Sequence, residues 1–201
     1  LSLTPARFFP LPDLQVVPEA FAGIEVHGIA RGFVCIDALV KKARSRICLA
    51  ATVTPGKFLI LIDGSVAEVE ESLLEAERLA GDKLIDRFFL PFAHEQLERG
   101  VFGPMADPGA EALGVVECST SCAGIRSADA ALKAAMVKLN VIHLSAGIGG
   151  KCYFAFSGDL FDVEASIQAA AESIGQDRLL GTEVIPNPHP EFIAALGISP
   201  V

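Results

Sequence analysis

The most constraining feature of this 201-residue chain is that one pattern occurs in it twice. Glu25 aligns with Glu117, Gly32 with Gly124, Asp37-Ala38 with Asp129-Ala130, Lys41 with Lys133 and Ala43 with Ala135, all at a single offset. A short slip then brings Gly56-Lys57 onto Gly150-Lys151, Gly64 onto Gly158, Val69-Glu70 onto Val163-Glu164, Ser72 onto Ser166 and Gly81 onto Gly175. One further residue of slip sets Pro91 on Pro186 and His94 on His189. The matches keep their order, and the slips fall where loops are expected. A period of this length means one supersecondary unit written again. The organisation that follows is an N-terminal extension over residues 1–21, a first unit over 22–103, a linker over 104–111 and a second unit over 112–201. Gly and Pro punctuate the stretch from Gly103 to Gly109, as a linker requires.

Both halves read as strand, helix, strand, strand, helix, strand. The strands are Gly23–Val26 or Gly114–Glu117, Ile47–Ala51 or Leu139–Leu144, Phe58–Ile62 or Cys152–Phe156, and Leu84–Leu90 or Arg178–Ile185. The first helix spans Ala30–Ala43 or Cys122–Ala135. The unbroken apolar run Phe58-Leu59-Ile60-Leu61-Ile62 predicts a strand covered on both faces. Ser65 and Glu68 have the spacing of a capping box, and Val66, Val69, Leu73 and Ala76 supply the apolar face of a second helix. Gly81 stands where a left-handed C-terminal cap belongs. In the second copy Asp159 or Ser157 takes the cap, and Gly175 the end. This element order predicts an α+β fold of two tandem ferredoxin-like domains, each an antiparallel sheet with helices on one side.

Composition narrows the function. Hydrophobic residues make up 51% of the chain, enough for real cores, so disorder is excluded. Sixteen Lys plus Arg against 25 Asp plus Glu leave a charge of −9, the wrong sign for releasing counterions from a nucleic acid. With no Trp and one Tyr, a stacking platform for bases is also excluded. No apolar run reaches the ~18 residues that a membrane-spanning helix needs. The five cysteines, Cys35, Cys48, Cys118, Cys122 and Cys152, are odd in number, and the N-terminus lacks the order of a signal peptide. Reduced thiols in a cytoplasmic protein are the expectation.

Catalytic motifs are not found. Gly149-Gly150-Lys151 invites comparison with a phosphate loop, but that motif needs Gly at the position of Ser145 and Ser or Thr at that of Cys152. His94 and His189 recur with the repeat, yet neither sits in a nucleophile–histidine–carboxylate pattern, and packing at the end of the last strand is the simpler role. His27 and His143 have no repeat partner and receive none. On spacing alone, the segments Val53–Gly56 and Gly147–Gly150 are tight turns.

Four runs carry a family resemblance: Thr52-Val53-Thr54-Pro55-Gly56-Lys57-Phe58-Leu59, Gly147-Ile148-Gly149-Gly150-Lys151-Cys152, Ala128-Asp129-Ala130-Ala131-Leu132-Lys133 and Val184-Ile185-Pro186-Asn187-Pro188-His189. With the duplication, the chain resembles the tandem-domain shell proteins of bacterial microcompartments, of the unpermuted type found in propanediol-utilisation compartments. The resemblance runs from Ala22 to about Leu196. It implies a homotrimeric, pseudohexameric tile in a cytoplasmic protein shell, with no catalytic residues and with a central pore for small metabolites. Pore-lining positions would be Val53, Thr54, Pro55, Gly56, Gly147, Ile148, Gly149 and Gly150, with Gly149 and Gly150 allowing backbones to approach the axis. Lys41, Lys133, Asn187 and His189 would lie at the tile edge, where the family's arginine is replaced by Asn187 and, in the first copy, by Phe92. Implied partners are further copies of the chain, neighbouring hexameric shell proteins and encapsulated enzymes. The alternative is an electron-transfer or metal-binding tile carrying an iron–sulfur cluster on Cys118, Cys122 or another cysteine. Thr54 occupies the position of the family's cluster cysteine, and a hydroxyl does not replace a thiolate, so no cofactor and no metal is expected.

Overall fold

The structure is a computed structural model that describes residues 18–102 and 111–196. The first seventeen residues of the proposed extension, and residues 104–110 of the proposed linker, lie outside the described residues. The described residues form two compact units. The first holds residues 18–93 with 120–122 and 145–150, and the second holds 94–102, 111–119, 123–144 and 151–196. Two short segments of the second repeat are thus built into the first unit.

The first unit contains β1 (Ala20–His27), α1 (Ile29–Lys42), β2 (Arg46–Val53), β3 (Lys57–Gly64), α2 (Val66–Ala80) and β4 (Leu84–Pro91). Its sheet has the order β2-β3-β1-β4, and every neighbouring pair is antiparallel. β1 begins three residues before the expected Gly23, so the last two residues of the expected extension belong to the first sheet: Ala20 pairs with both Gly64 and Pro91, because the small, apolar Ala20 and Ala22 fit the helix-covered face. Ile24, Val26, Phe58, Ile60 and Ile62 project from the sheet into one cluster with Cys35 and Leu39 of α1 and Val69, Leu73 and Ala76 of α2. Leu59 and Leu61, on the opposite pleat of β3, are also buried, which is the two-sided burial expected of that run.

The second unit repeats the design with α3 (Glu95–Phe102), β5 (Ala112–Cys118), α4 (Ser121–Ala134), whose first two residues belong to the first unit, β6 (Lys138–Leu144), β7 (Cys152–Gly158), α5 (Leu160–Glu172), β8 (Leu179–Pro186) and α6 (Pro190–Leu196). Its sheet order is β6-β7-β5-β8, again antiparallel throughout. Register shifts fall at equivalent places, between Glu25 and Val26 on β1 and between Glu117 and Cys118 on β5. No helix among the described residues is long and apolar enough to cross a membrane.

The repeated small residues have definite work in the packing. A Cβ on Gly32 would stand 2.3 Å from Cγ of Phe58, and one on Gly124 would stand 2.2 Å from Sγ of Cys152. The helix axis therefore comes close to the strand only because both positions lack a side chain. The two helices of each unit are then stitched by matched bonds. Ser72 Oγ donates to the Leu39 carbonyl at 3.1 Å and Cys35 Sγ to that of Ala76 at 3.5 Å. In the second unit Ser166 Oγ donates to Ala131 at 3.0 Å and Ser127 Oγ to Ala170 at 3.0 Å. Cys35 thus stands in for a serine in the interhelical contact, and burial pushes its thiol pKa up, with Arg31 opposing.

Three capping expectations need correction. Ser65 is the N-cap of α2, but its hydroxyl bonds Glu68 Oε2 at 2.7 Å and not the backbone, so no capping box closes. Glu19 Oε2 takes the Val66 N–H instead, at a long 3.5 Å. Gly81 has a positive φ of 53°, but its ψ of −126° lies outside the left-handed helical region because the chain turns directly into a short 3-10 segment, Gly81–Lys83. Gly175 is not the end of α5. That helix stops at Ser173, and the Gly175 carbonyl accepts the N–H of Arg178 at 2.8 Å.

Gly32→Ala gains about 1 kcal/mol of helix propensity but forces a methyl group into the ring of Phe58, and overpacking of this kind costs roughly 1–3 kcal/mol. A net loss of stability is expected, read as a lower urea midpoint with an unchanged slope.

Candidate functional site

Two loops at equivalent places in the repeat meet in the first unit. The first follows β2, and its Gly56 N–H returns to the Val53 carbonyl at 3.0 Å, with Thr54-Pro55 in the cis form. The second is residues 145–150. Gly56, Gly147 and Gly149 adopt φ of 96°, 74° and 68° with open space where a Cβ would be, so glycine serves the turn conformation there. Gly150 is different. Its φ is 83°, and a Cβ would lie 2.6 Å from the Thr54 carbonyl oxygen. The close approach that demands glycine at 150 is therefore to the other loop. Gly147 N–H points to Thr54 Oγ1 at 3.4 Å, and Lys57 Nζ donates to the Gly150 carbonyl at 3.2 Å.

Behind the loops lies a fully buried carboxylate, Glu25, at the β1 register shift. Lys57 Nζ donates to its Oε1 at 2.7 Å and the Ser121 N–H to its Oε2 at 2.9 Å. Ser121 and Ser145 share a hydroxyl bond of 2.6 Å, and Ser145 Oγ donates to the Gly150 carbonyl at 3.1 Å. The carbonyl leads back to Lys57, so Glu25, Ser121, Ser145, Gly150 and Lys57 form a closed polar ring. Thr120 Oγ1 bonds Asp86 beside it. Desolvation raises the Glu25 pKa. The Lys57 ammonium and the Ser121 N–H pull it down without cancelling burial, and the nearby Asp86 charge adds to the rise.

Of the predicted loop residues, Thr54, Pro55, Gly56, Gly147 and Gly149 are exposed, Ile148 is half-buried, and Val53 and Gly150 are buried. Thr54 presents a hydroxyl, not a thiolate, at the tip of the first loop. All five cysteines are buried, and none is joined in a disulfide.

The predicted edge lysines each bond an aspartate one turn earlier. Lys41 Nζ lies 2.6 Å from Asp37, both exposed, and Lys133 Nζ lies 2.6 Å from the buried Asp129. The second oxygen of Asp129 accepts the His94 N–H at 2.7 Å. Asn187 and His189 are exposed. Asn187 has a positive φ of 46°, as does its counterpart Phe92 at 55°, and each donates its N–H at 2.7 Å to the residue preceding its unit's first strand, Glu111 or Glu19.

Sequence reasoning missed α3 and α6, and with them the role of the recurrent histidines. These do not simply pack at a strand end. His94 Nδ1 accepts the Gln96 N–H at 3.3 Å, and His189 Nδ1 accepts the Glu191 N–H at 3.2 Å, so each caps the helix that follows. The signal was His recurring immediately before Glu95 or Pro190, residues suited to a first helical turn. Gln96 was missed too. Its amide accepts the Leu139 N–H at 2.9 Å and donates to the Val137 carbonyl at 3.2 Å, covering the free side of the edge strand β6.

Because the folded state holds the Glu25 proton more tightly than the unfolded chain does, this group's contribution is fully present below about 4.5 and is lost as pH rises through its raised folded value. Unfolding free energies measured against pH for the wild type and Glu25→Gln are expected to diverge with pH in that window, the wild type falling relative to the variant.

Comparison with known proteins places this geometry. The BMC domain model matches residues 20–93 and again 112–188. The bacterial microcompartment shell protein PduT of Citrobacter freundii is 37% identical over 172 residues, covering 85% of this chain and 94% of that protein. EutM of Salmonella typhimurium, also a microcompartment shell protein, is 37% identical over 92 residues, covering 44% of this chain and 92% of its own length, as a single copy of the repeat would. Among solved structures, a microcompartment protein from Desulfitobacterium hafniense superposes with a TM-score of 0.77 at 33% identity, covering 88% of this chain and 98% of that one. The chain therefore belongs to the bacterial microcompartment shell proteins, as a member with two BMC domains in tandem.

Proposed function

We propose that three copies of this chain close into a pseudohexameric tile whose centre is bordered by the loops around Thr54–Gly56 and Gly147–Gly149, and that small metabolites pass through this opening. The observation that carries the reading is the meeting of the two equivalent loops in one unit, held by the ring from Glu25 to Lys57. Loop tips from successive repeats that lie side by side are what a ring of repeats presents at its axis. The exposed surface of these tips is glycine backbone, the Pro55 ring and the Thr54 hydroxyl, with Ile148 half-buried beside them, so selection would rest on width and on backbone dipoles.

The tile acts as a wall and not as an enzyme. Its rim, including Lys41, Lys133, Asn187 and His189, meets neighbouring hexameric shell proteins, and one face meets encapsulated enzymes within the cytoplasmic shell. The family likeness and the absence of a catalytic pattern in the sequence support this role.

Light scattering on the purified protein is expected to give three chain masses, and class averages in negative stain a six-lobed ring with a central opening. A stable monomer at micromolar concentration overturns the reading.

A further inference from the structure

The second unit carries two thiols where the first carries a pair of core side chains. Cys118 closes β5 and Cys152 opens β7, and they are direct partners in the antiparallel register. Their counterparts in the first unit, Val26 and Phe58, are register partners as well, and both belong to the apolar core cluster. Cys118 and Cys152 are as deeply buried, at 0% exposure each. Among the described residues no other two cysteines are partners in either sheet. Cys35 and Cys122 lie on helices, and Cys48 falls at the β2 register shift.

Opposed residues of an antiparallel ladder present their side chains on one face, with Cα atoms about 4.5–5.5 Å apart. A disulfide spans about 4.4–6.8 Å between Cα atoms. The backbone therefore already holds the two cysteines at bridging distance. The face is the one that α4 covers, and the glycine at 124 keeps that helix clear of the sulfur, since a Cβ there would stand 2.2 Å from Cys152 Sγ.

The place of the pair along the chain gives a bridge a purpose. Ser121 follows Cys118 by three residues, and Ser145 and Gly150 shortly precede Cys152. Those residues supply the links of the polar ring that holds Glu25 and Lys57. We propose that Cys118 and Cys152 are a redox-responsive pair, which closes under oxidising conditions into a cross-strand disulfide that staples the two ends of segment 119–151 and steadies the loop 145–150. The inference concerns a single chain and does not depend on the tile proposed above.

The oxidant is a small organic disulfide such as oxidised glutathione. One cysteine thiolate attacks it, the S–S bond of the reagent breaks, and one reagent thiolate leaves. The second cysteine thiolate attacks the protein sulfur of that mixed disulfide, the Cys118–Cys152 bond forms, and the second reagent thiolate leaves. The protein loses two electrons and two protons, and the reagent is reduced to two thiols. Lys151 is exposed and Ser119 half-buried, so each cysteine stands one residue from the surface, and fraying of the strand ends admits the reagent. The closed bridge restricts the unfolded chain across 119–151, which favours the folded state.

The test equilibrates the full chain with mixtures of reduced and oxidised glutathione, then alkylates the remaining thiols in denaturant. In the oxidising mixtures, mass spectrometry is expected to find Cys35, Cys48 and Cys122 alkylated and to find fragments joined through Cys118 and Cys152. Hydrogen exchange in 145–150 is expected to slow about tenfold on oxidation and to recover with dithiothreitol. Cys118→Val installs the residue that the first unit holds at this position and should make exchange in the loop insensitive to the oxidant, while Cys122→Val should behave as the wild type does. A wild type with all five cysteines alkylated in every mixture overturns the proposal, and so does a link through Cys122. A Cys118–Cys152 link that leaves exchange in 145–150 unchanged overturns the staple. The link is read in the wild type itself, so a misfolded variant does not remove the test.

Discussion

The arrangement of the first unit depends on keeping Glu25 buried. A carboxylate that has lost its water is costly unless charge and hydrogen bonds replace it. Here the replacements come from three stretches far apart in sequence: the ammonium of Lys57 at the start of β3, the N–H of Ser121 at the start of α4, and, through Ser121 and Ser145, the carbonyl of Gly150 that also holds Lys57. Each group depends on the next, so removing one leaves another unpaired in a low-dielectric site. The ring thereby fixes where residues 120–122 and 145–150 sit, and with them the tips of the two loops.

Duplication explains both the economy of the fold and its asymmetry. The glycines at 32 and 124, the serines at 72 and 166, and the register shifts beside Glu25 and Glu117 solve the same packing problem twice. The outward faces were free to diverge. Asp129 is buried and holds both His94 and Lys133, whereas Asp37 bonds Lys41 in the open.

The histidines illustrate the limit of motif reading. Their recurrence marked them for a role that repeats with the fold, and the sequence reading assigned them to packing at the end of the last strand. A ring nitrogen accepting the N–H two residues on is a local, structural use, visible only once the following residues are seen to be helical. Phe92 was read as a departure from a family pattern. The structure adds that it holds a positive φ, uncommon for a bulky residue, because its N–H is tied to the Glu19 carbonyl as Asn187 is tied to Glu111.

The sequence by itself determined the repeat, the element order, the antiparallel α+β class and the positions of both loops. Apolar periodicity, turn residues and ordered repetition are properties of neighbours along the chain, and they survive in one dimension. Only the tertiary structure decided that Gly150 is glycine because of Thr54, that Cys35 acts in the place of a serine, that Ser65 bonds Glu68 and leaves the helix N–H to Glu19, and that Glu25 closes a ring with residues almost a hundred positions away. Those outcomes turn on distances between segments remote in sequence and on the loss of water around a charge, and neither quantity is written in residue order.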